Sequence, residues 1–302
     1  MGRRKKSDNG AEKIKNRVES LIIERPSHKE ILEFYKDVIT EQYSALSKVK
    51  ITPLEIDKDD AKAKIMQGFP LVEKKAFILD IPSATRLFRR LCKILSKTKK
   101  GQYDSELITQ AMRKKEIKLP ELFRQIESEN DEYIKALSKK LQVKEDVLVF
   151  LARNSIRPIY ETYAKELKDY VDQERWWKGY CPICGSEPYI SELKNEGGAE
   201  GARFLVCSSC NFEWRFNRVK CPFCENDNHE KLRYFYTEKE GRAYRVDVCD
   251  NCKRYIKTVD ANELGTDFIP LLEDIGTLHL DIVAQKEGYK KEGKTTGLAT
   301  DA

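Results

Sequence analysis

A chain of 302 residues with 40% hydrophobic side chains has room for about two domains with buried cores. The net charge of +6 is concentrated at the start: residues 1–20 hold seven basic and three acidic side chains, leaving only +2 for the other 282. There is no apolar run of about eighteen residues to span a membrane. No apolar stretch follows the basic start Met1 to Lys6, which argues against a secretory signal, so the expected location is the cytoplasm.

In chain order, residues 1–20 read as a basic disordered arm, normally a solvated tail. Residues 21–175 read as an all-helical domain. Ser27 and Glu30 have capping-box spacing after Pro26 and precede an apolar run through Ile31, Phe34, Tyr35, Val38 and Ile39. Pro82-Ser83 starts a helix with Leu87, Phe88, Leu91 and Leu95 on one stripe, and Cys92 within it reads as a small buried hydrophobe. Pro120 opens a further helix, Tyr133 to Leu141 mark another, and a long segment from Val147 to Tyr170 should be kinked or interrupted at Pro158. A loop is expected around Gly68-Phe69-Pro70.

The pattern changes near Trp176. Short β-prone runs then alternate with glycines and Cys-x-x-Cys pairs: 203–206, 212–219, 231–237, 243–248 and 255–259. This predicts an α+β protein. The N-terminal all-helical domain is followed by two small rubredoxin-like or zinc-ribbon metal modules, at 176–215 and 216–265. A C-terminal helix and a mobile tail occupy 266–302.

Eight of the nine cysteines form the pairs Cys181/Cys184, Cys207/Cys210, Cys221/Cys224 and Cys249/Cys252. Long spacers of 22 and 24 residues separate the first pair from the second and the third from the fourth, with only ten between the second and third. Each long spacer is enough for a hairpin, so sequential pairing is favoured over an interleaved one. In a reducing compartment such pairs read as metal ligands rather than disulfides. Two knuckles make a tetrahedral four-sulfur set for zinc or a rubredoxin-type iron, and a closed four-thiolate sphere has no open position for catalysis. His28, His229 and His279 lie apart, and no phosphate loop, dinucleotide fingerprint or nucleophile elbow occurs. No enzyme activity is expected.

Residues 175–260 carry fifteen basic and thirteen acidic side chains. Eight thiolates and two divalent ions would turn that balance to about −2, which disfavours nucleic-acid binding. If 212–220 is one strand, Trp214, Phe216, Arg218 and Lys220 share a face. That face has two readings: a site for an anionic, ring-bearing ligand or an acidic segment, or a cover over the metal sites with solvated cations.

The segments Cys181-Pro-Ile-Cys-Gly-Ser-Glu-Pro188, Ala202-Arg-Phe-Leu-Val-Cys207, Glu213-Trp214, Arg218-Val-Lys-Cys221 and Cys249-Asp-Asn-Cys-Lys-Arg-Tyr-Ile-Lys257 resemble the formate dehydrogenase accessory protein FdhE family. Asp274-Ile-Gly-Thr-Leu-His-Leu-Asp281 with Glu287-Gly-Tyr289 is similar to that family's C-terminal segment, with Glu273-Asp274 where the family often has Asp-Asp. Gly68-Phe-Pro-Leu71 and Arg157-Pro158 are weaker echoes. The resemblance implies a cytoplasmic assembly chaperone for molybdenum- or tungsten-containing formate dehydrogenase, binding its catalytic subunit. It also implies two rubredoxin-like metal modules, each with a tetrathiolate-bound ion, Zn or Fe; the Trp214 face adds, on its own chemistry, a transient pterin guanine dinucleotide cofactor as a candidate ligand. On that view Arg203, Trp214, Arg218 and Lys220 would contact client or cofactor. The other readings are a rubredoxin-like electron carrier and, less favoured, a zinc-ribbon nucleic-acid binder.

Overall fold

The structure is a computed structural model that describes residues 4–237 and 241–291, with side chains from Gly10 onward. The described residues divide into two compact units, 4–53 with 74–163 and 54–73 with 164–291. No helix among them is long and apolar enough to cross a membrane.

The first unit is helical. It holds α1 (Arg4–Glu24), α2 (Lys29–Leu46), α4 (Ile81–Leu95), α5 (Gln102–Arg113), α6 (Leu119–Glu127), α7 (Asp131–Leu141) and most of α8 (Glu145–Leu167). The expectation of a disordered arm over 1–20 is corrected from Arg4 onward, and its first three residues lie outside the described ones. α1 buries Ile14, Val18 and Leu21, spaced as one helical stripe, and Arg17 beside them is also buried. Basic residues between these positions hid the stripe. The Ser27/Glu30 capping box does not form either. Pro26–His28 makes a 3-10 turn, and α2 starts at Lys29 without a side-chain cap.

Pro158 does not interrupt α8. A proline removes the N–H that would bond the carbonyl four residues back. That carbonyl, on Asn154, accepts instead from Gln42 Nε2 at 3.0 Å. A side chain on α2 thus replaces the missing backbone donor. Around α8 the core is aromatic, with Phe34 and Tyr35 against Phe150 and Phe77 against Tyr160 and Tyr163. Cys92 is buried, and burial pushes its thiol up to about 12, consistent with a packing role.

The second unit contains α3 (Lys58–Gln67) and one six-stranded sheet. The strands are β1 (Pro188–Glu196), β2 (Ala199–Cys207), β3 (Glu213–Phe216), β4 (Leu232–Phe235), β5 (Tyr244–Cys249) and β6 (Arg254–Asp260), in the order β3-β2-β1-β6-β5-β4. Each half of the sheet runs knuckle, strand, strand, knuckle, strand, and forms an antiparallel meander. The halves are tandem repeats laid side by side. They join where β1 pairs with β6 in parallel, Ile190 to Leu193 against Lys257 to Asp260. The two expected modules therefore share one sheet. Three short helices follow: α9 (Ala261–Leu264), α10 (Pro270–Gly276) and α11 (Leu278–Lys286). The mobile tail expected beyond them lies mostly outside the described residues.

One sheet face carries α10 and α11 through a buried polar network. Lys257 on β6 is 1% exposed, and its ammonium lies 2.8 Å from Asp274 Oδ1 and 2.5 Å from Asp281 Oδ2. Lys291 adds a second cation 2.7 Å from Asp274. Tyr255 donates to Asp281 and Tyr244 to Glu273. Two cations against two carboxylates, with further hydrogen bonds, satisfy charges that would otherwise be costly to bury.

Candidate metal centres

The four Cys-x-x-Cys turns are built alike. In each, the residue after the second cysteine has a left-handed backbone: Gly185 (φ 71°), Asn211 (54°), Glu225 (57°) and Lys253 (56°). Its N–H donates to the carbonyl of the first cysteine, at 2.9, 3.2, 3.0 and 2.8 Å respectively. This closes a tight loop that aims both sulfurs the same way. Amides inside the turn also face sulfur, as with Ser209 N and Cys210 N, both 3.4 Å from Cys207 Sγ.

The first and second pairs converge, and so do the third and fourth, with the sulfurs of each set within 4.8 Å of one another. In the first set Cys181–Cys210, Cys184–Cys207 and Cys184–Cys210 are separated by 3.6, 3.5 and 3.7 Å. In the second, Cys221–Cys252 and Cys224–Cys249 are each 3.7 Å apart. Four sulfurs about 2.3 Å from one ion form a tetrahedron with edges of about 3.8 Å. Both sets fit that geometry, and among the described residues no histidine or carboxylate enters either.

Bare thiols suit these positions poorly. Burial pushes Cys181 and Cys210 well up, whereas S–H bonds from its three neighbours pull Cys184 well down. One thiolate can form there without a metal, but four together in a dry site need a cation.

The two sets differ in their cover. All four sulfur-bearing residues of the first are buried. Segment 68–73, after α3, runs along the first knuckle, with Leu71 N donating to Pro182 O at 2.8 Å and Val72 N to Ile183 O at 3.0 Å. Tyr180 holds that segment by donating to Gly68 O at 2.6 Å. In the second set Cys224 and Cys252 are half-buried. Asn251 and Asn226 approach sulfurs there, 3.6 Å from Cys224 and 4.0 Å from Cys249. Burial raises the Cys224 thiol, but hydrogen bonds from the Asn251 amide, the Asn226 N–H and the neighbouring Cys252 and Cys221 together bring it down to about 7.

The sets are also mechanically joined. A Cβ on Gly179, just before the first knuckle, would lie 1.7 Å from the Pro222 carbonyl in the third. Only glycine allows that approach. Glu187, after the first knuckle, takes a bidentate pair from Arg254, after the fourth, at 2.7 and 2.8 Å.

The four residues expected to contact client or cofactor do not share a face. β3 ends at Phe216, so the alternation that would align 214 with 218 and 220 stops. Trp214 is fully buried, its indole donating to Lys178 O at 3.1 Å. Arg203 is 3% exposed and structural. It donates to Ser191 Oγ at 3.0 Å and Lys220 O at 3.2 Å, and lies 3.4 Å from Asp247. Arg218 is exposed and reaches the Gly201 carbonyl only at 3.5 Å, and Lys220 pairs with Glu225 at 3.4 Å.

Comparison with known proteins bears on the same region. Residues 180–218 match the family model described as FdhE, central domain, and 219–298 that described as FdhE, C-terminal domain. A protein FdhE homolog of Aquifex aeolicus is 30% identical over 279 residues, 91% of each chain. Protein FdhE of Escherichia coli K12 is 36% identical over 127 residues, 42% of this chain and 38% of that one. The crystal structure of the FdhE protein from Pseudomonas aeruginosa has the same fold over 97% of both chains, with a TM-score of 0.66 at 20% identity.

Proposed function

This chain belongs to the FdhE family, and from that premise we propose that it is a non-enzymatic accessory protein for formate dehydrogenase. In this reading it acts in the cytoplasm and binds the catalytic subunit of the molybdenum- or tungsten-containing enzyme before that enzyme is complete. The observation that carries the reading is the match along 91% of both chains to a protein FdhE homolog. The two four-sulfur sets support it, because closed tetrathiolate centres hold a fold and leave no position for substrate. Each is read as holding one ion, zinc or iron. A tagged form of the chain should co-purify the formate dehydrogenase catalytic subunit, and deleting its gene should abolish formate dehydrogenase activity. Undiminished activity in the deletion strain, with no co-purification, would overturn the reading.

One observation favours a second reading, single-electron transfer through a rubredoxin-type iron. Cys224 and Cys252 bring sulfur of the second set close to solvent, where a redox partner could approach. Metal analysis separates the two. Zinc at both sites removes electron transfer, since zinc has no redox chemistry.

A further inference from the structure

The second repeat contains a cavity beside its metal set, with Cys221 and Cys249 among the lining residues. Its volume is about 260 Å³, and it lies between the linker 218–223 and the strands β4, β5 and β6. Six cations line it: Arg203, Arg218, Lys220, Arg233, Arg245 and Arg254. Among the described residues, Asp247 is the one carboxylate in the lining. That carboxylate accepts from Thr258 Oγ1 at 2.6 Å and from Arg245 at 3.5 Å, and the Arg203 guanidinium lies 3.4 Å from it. Arg254, Arg233 and Lys220 are paired with Glu187, Asp250 and Glu225, which stand outside the lining.

Part of this charge serves the second metal set, because Arg203 lies close enough to feel the charge of Cys221. The side-chain amides of Asn226 and Asn251 reach its sulfurs as well, beside the backbone amides of the turns. Arg245 instead lies over the Tyr234 ring, 4.9 Å from its centre, and Tyr234 is 60% exposed. A flat aromatic surface thus stands at a cavity with an excess of guanidinium donors. Guanidinium forks match phosphate oxygens, and an open ring offers a stacking platform for a planar group.

We propose that this cavity binds a small phosphate-bearing molecule with a planar ring, Arg218 and Arg245 holding the phosphates and Tyr234 stacking on the ring. Arg203 is 3% exposed, with two of its donors on Ser191 Oγ and the Lys220 carbonyl, and it is left out of the proposed contacts. The inference does not rest on the formate dehydrogenase reading, and its test needs no client.

The experiment is calorimetric titration of the full metal-loaded chain with inorganic pyrophosphate and, separately, with ADP. Pyrophosphate should bind saturably at one site per chain, and ADP more tightly. The R218A variant alters an exposed side chain, and R245Q alters one inside the cavity. Each should weaken pyrophosphate about tenfold or more, the scale of one lost charge-assisted hydrogen bond, with melting temperature and metal content unchanged in R218A. Y234A should erase the advantage of ADP over pyrophosphate. Arg90, paired with Glu41 in the first unit, supplies the control, and R90A should bind both probes as the wild type does. No saturable binding by the wild type, or equal affinity in R218A, would overturn the anion site. Equal affinity for the two probes in the wild type would overturn the stacking role.

Discussion

Arg203 donates to Ser191 on β1 and to the linker carbonyl of Lys220, and it faces Asp247 on β5. One guanidinium therefore spans the joint between the repeats. Replacing it with alanine leaves the half-buried Asp247 carboxylate with Arg245 and Thr258 alone and removes the two hydrogen bonds of the buried guanidinium, a loss on the order of 1–3 kcal/mol. Urea denaturation of R203A should show that loss, and D247N added to R203A should recover part of it. A second residue-scale effect concerns pH. Burial raises the Glu127 carboxyl in the first unit from 4.5 to about 7, against the opposing pull of Tyr160, which donates to it at 2.7 Å, and of Arg124. The folded state therefore binds this proton more tightly than the unfolded chain does. The stabilisation it brings is present at low pH and is lost as pH rises through the interval from about 4.5 to about 7. E127Q, neutral throughout, should flatten that part of the stability profile, raising the melting temperature relative to wild type at pH 8 more than at pH 5. An unchanged difference at the two pH values would mean that Glu127 titrates normally.

The four knuckles share one hydrogen-bond scheme but not one degree of shelter. Segment 68–73 lies over the first, while Cys224 and Cys252 of the second set are half-buried. A chelator should therefore remove one ion quickly and the other slowly. C224S should abolish the fast phase and C184S the slow one, read by a metal-sensitive dye. Simultaneous release of both ions in the wild type would show that the sets open as one. Much at this scale was legible in the sequence, because a cysteine pair with a fixed turn admits few geometries. The stripes from Leu87 to Leu95 and Leu122 to Ile126 were equally plain. α5 was missed because two of its inward positions are Asp104 and Ser105, which bond Lys144 N and the Cys92 carbonyl rather than pack as apolar groups. β1 was missed for the opposite reason. It is buried on both faces from Pro188 to Leu193, so its polar Ser191 and Glu192 break the run without producing alternation. Arg203 looked like a binding residue because a buried arginine and an exposed one are indistinguishable in sequence.

At the scale of the whole molecule, the parallel pairing of β1 with β6 was beyond the reach of the sequence. Spacing shows that each repeat can make its own hairpin, but not that one repeat's first strand will dock on the other's third. That joint has a consequence for solubility. The sheet ends in β3 on one side and β4 on the other. These are the same two kinds of edge that meet at the joint: a third strand and a first strand. Stacking the β4 edge of one copy on the β3 edge of another would repeat the joint without closing a ring, the recipe for an open filament. Gln173 stands in the way, its amide donating to Glu213 O at 3.4 Å and accepting from Arg215 N at 3.0 Å, so that a side chain occupies the hydrogen-bonding row of β3. Q173A should scatter more light as concentration rises, at unchanged metal content, while wild type stays dispersed. Equal scattering by the two would show that the β3 edge is blocked by something else. A chain that exists in two copies of one motif must also forbid the third, and here a single glutamine acts as the stop.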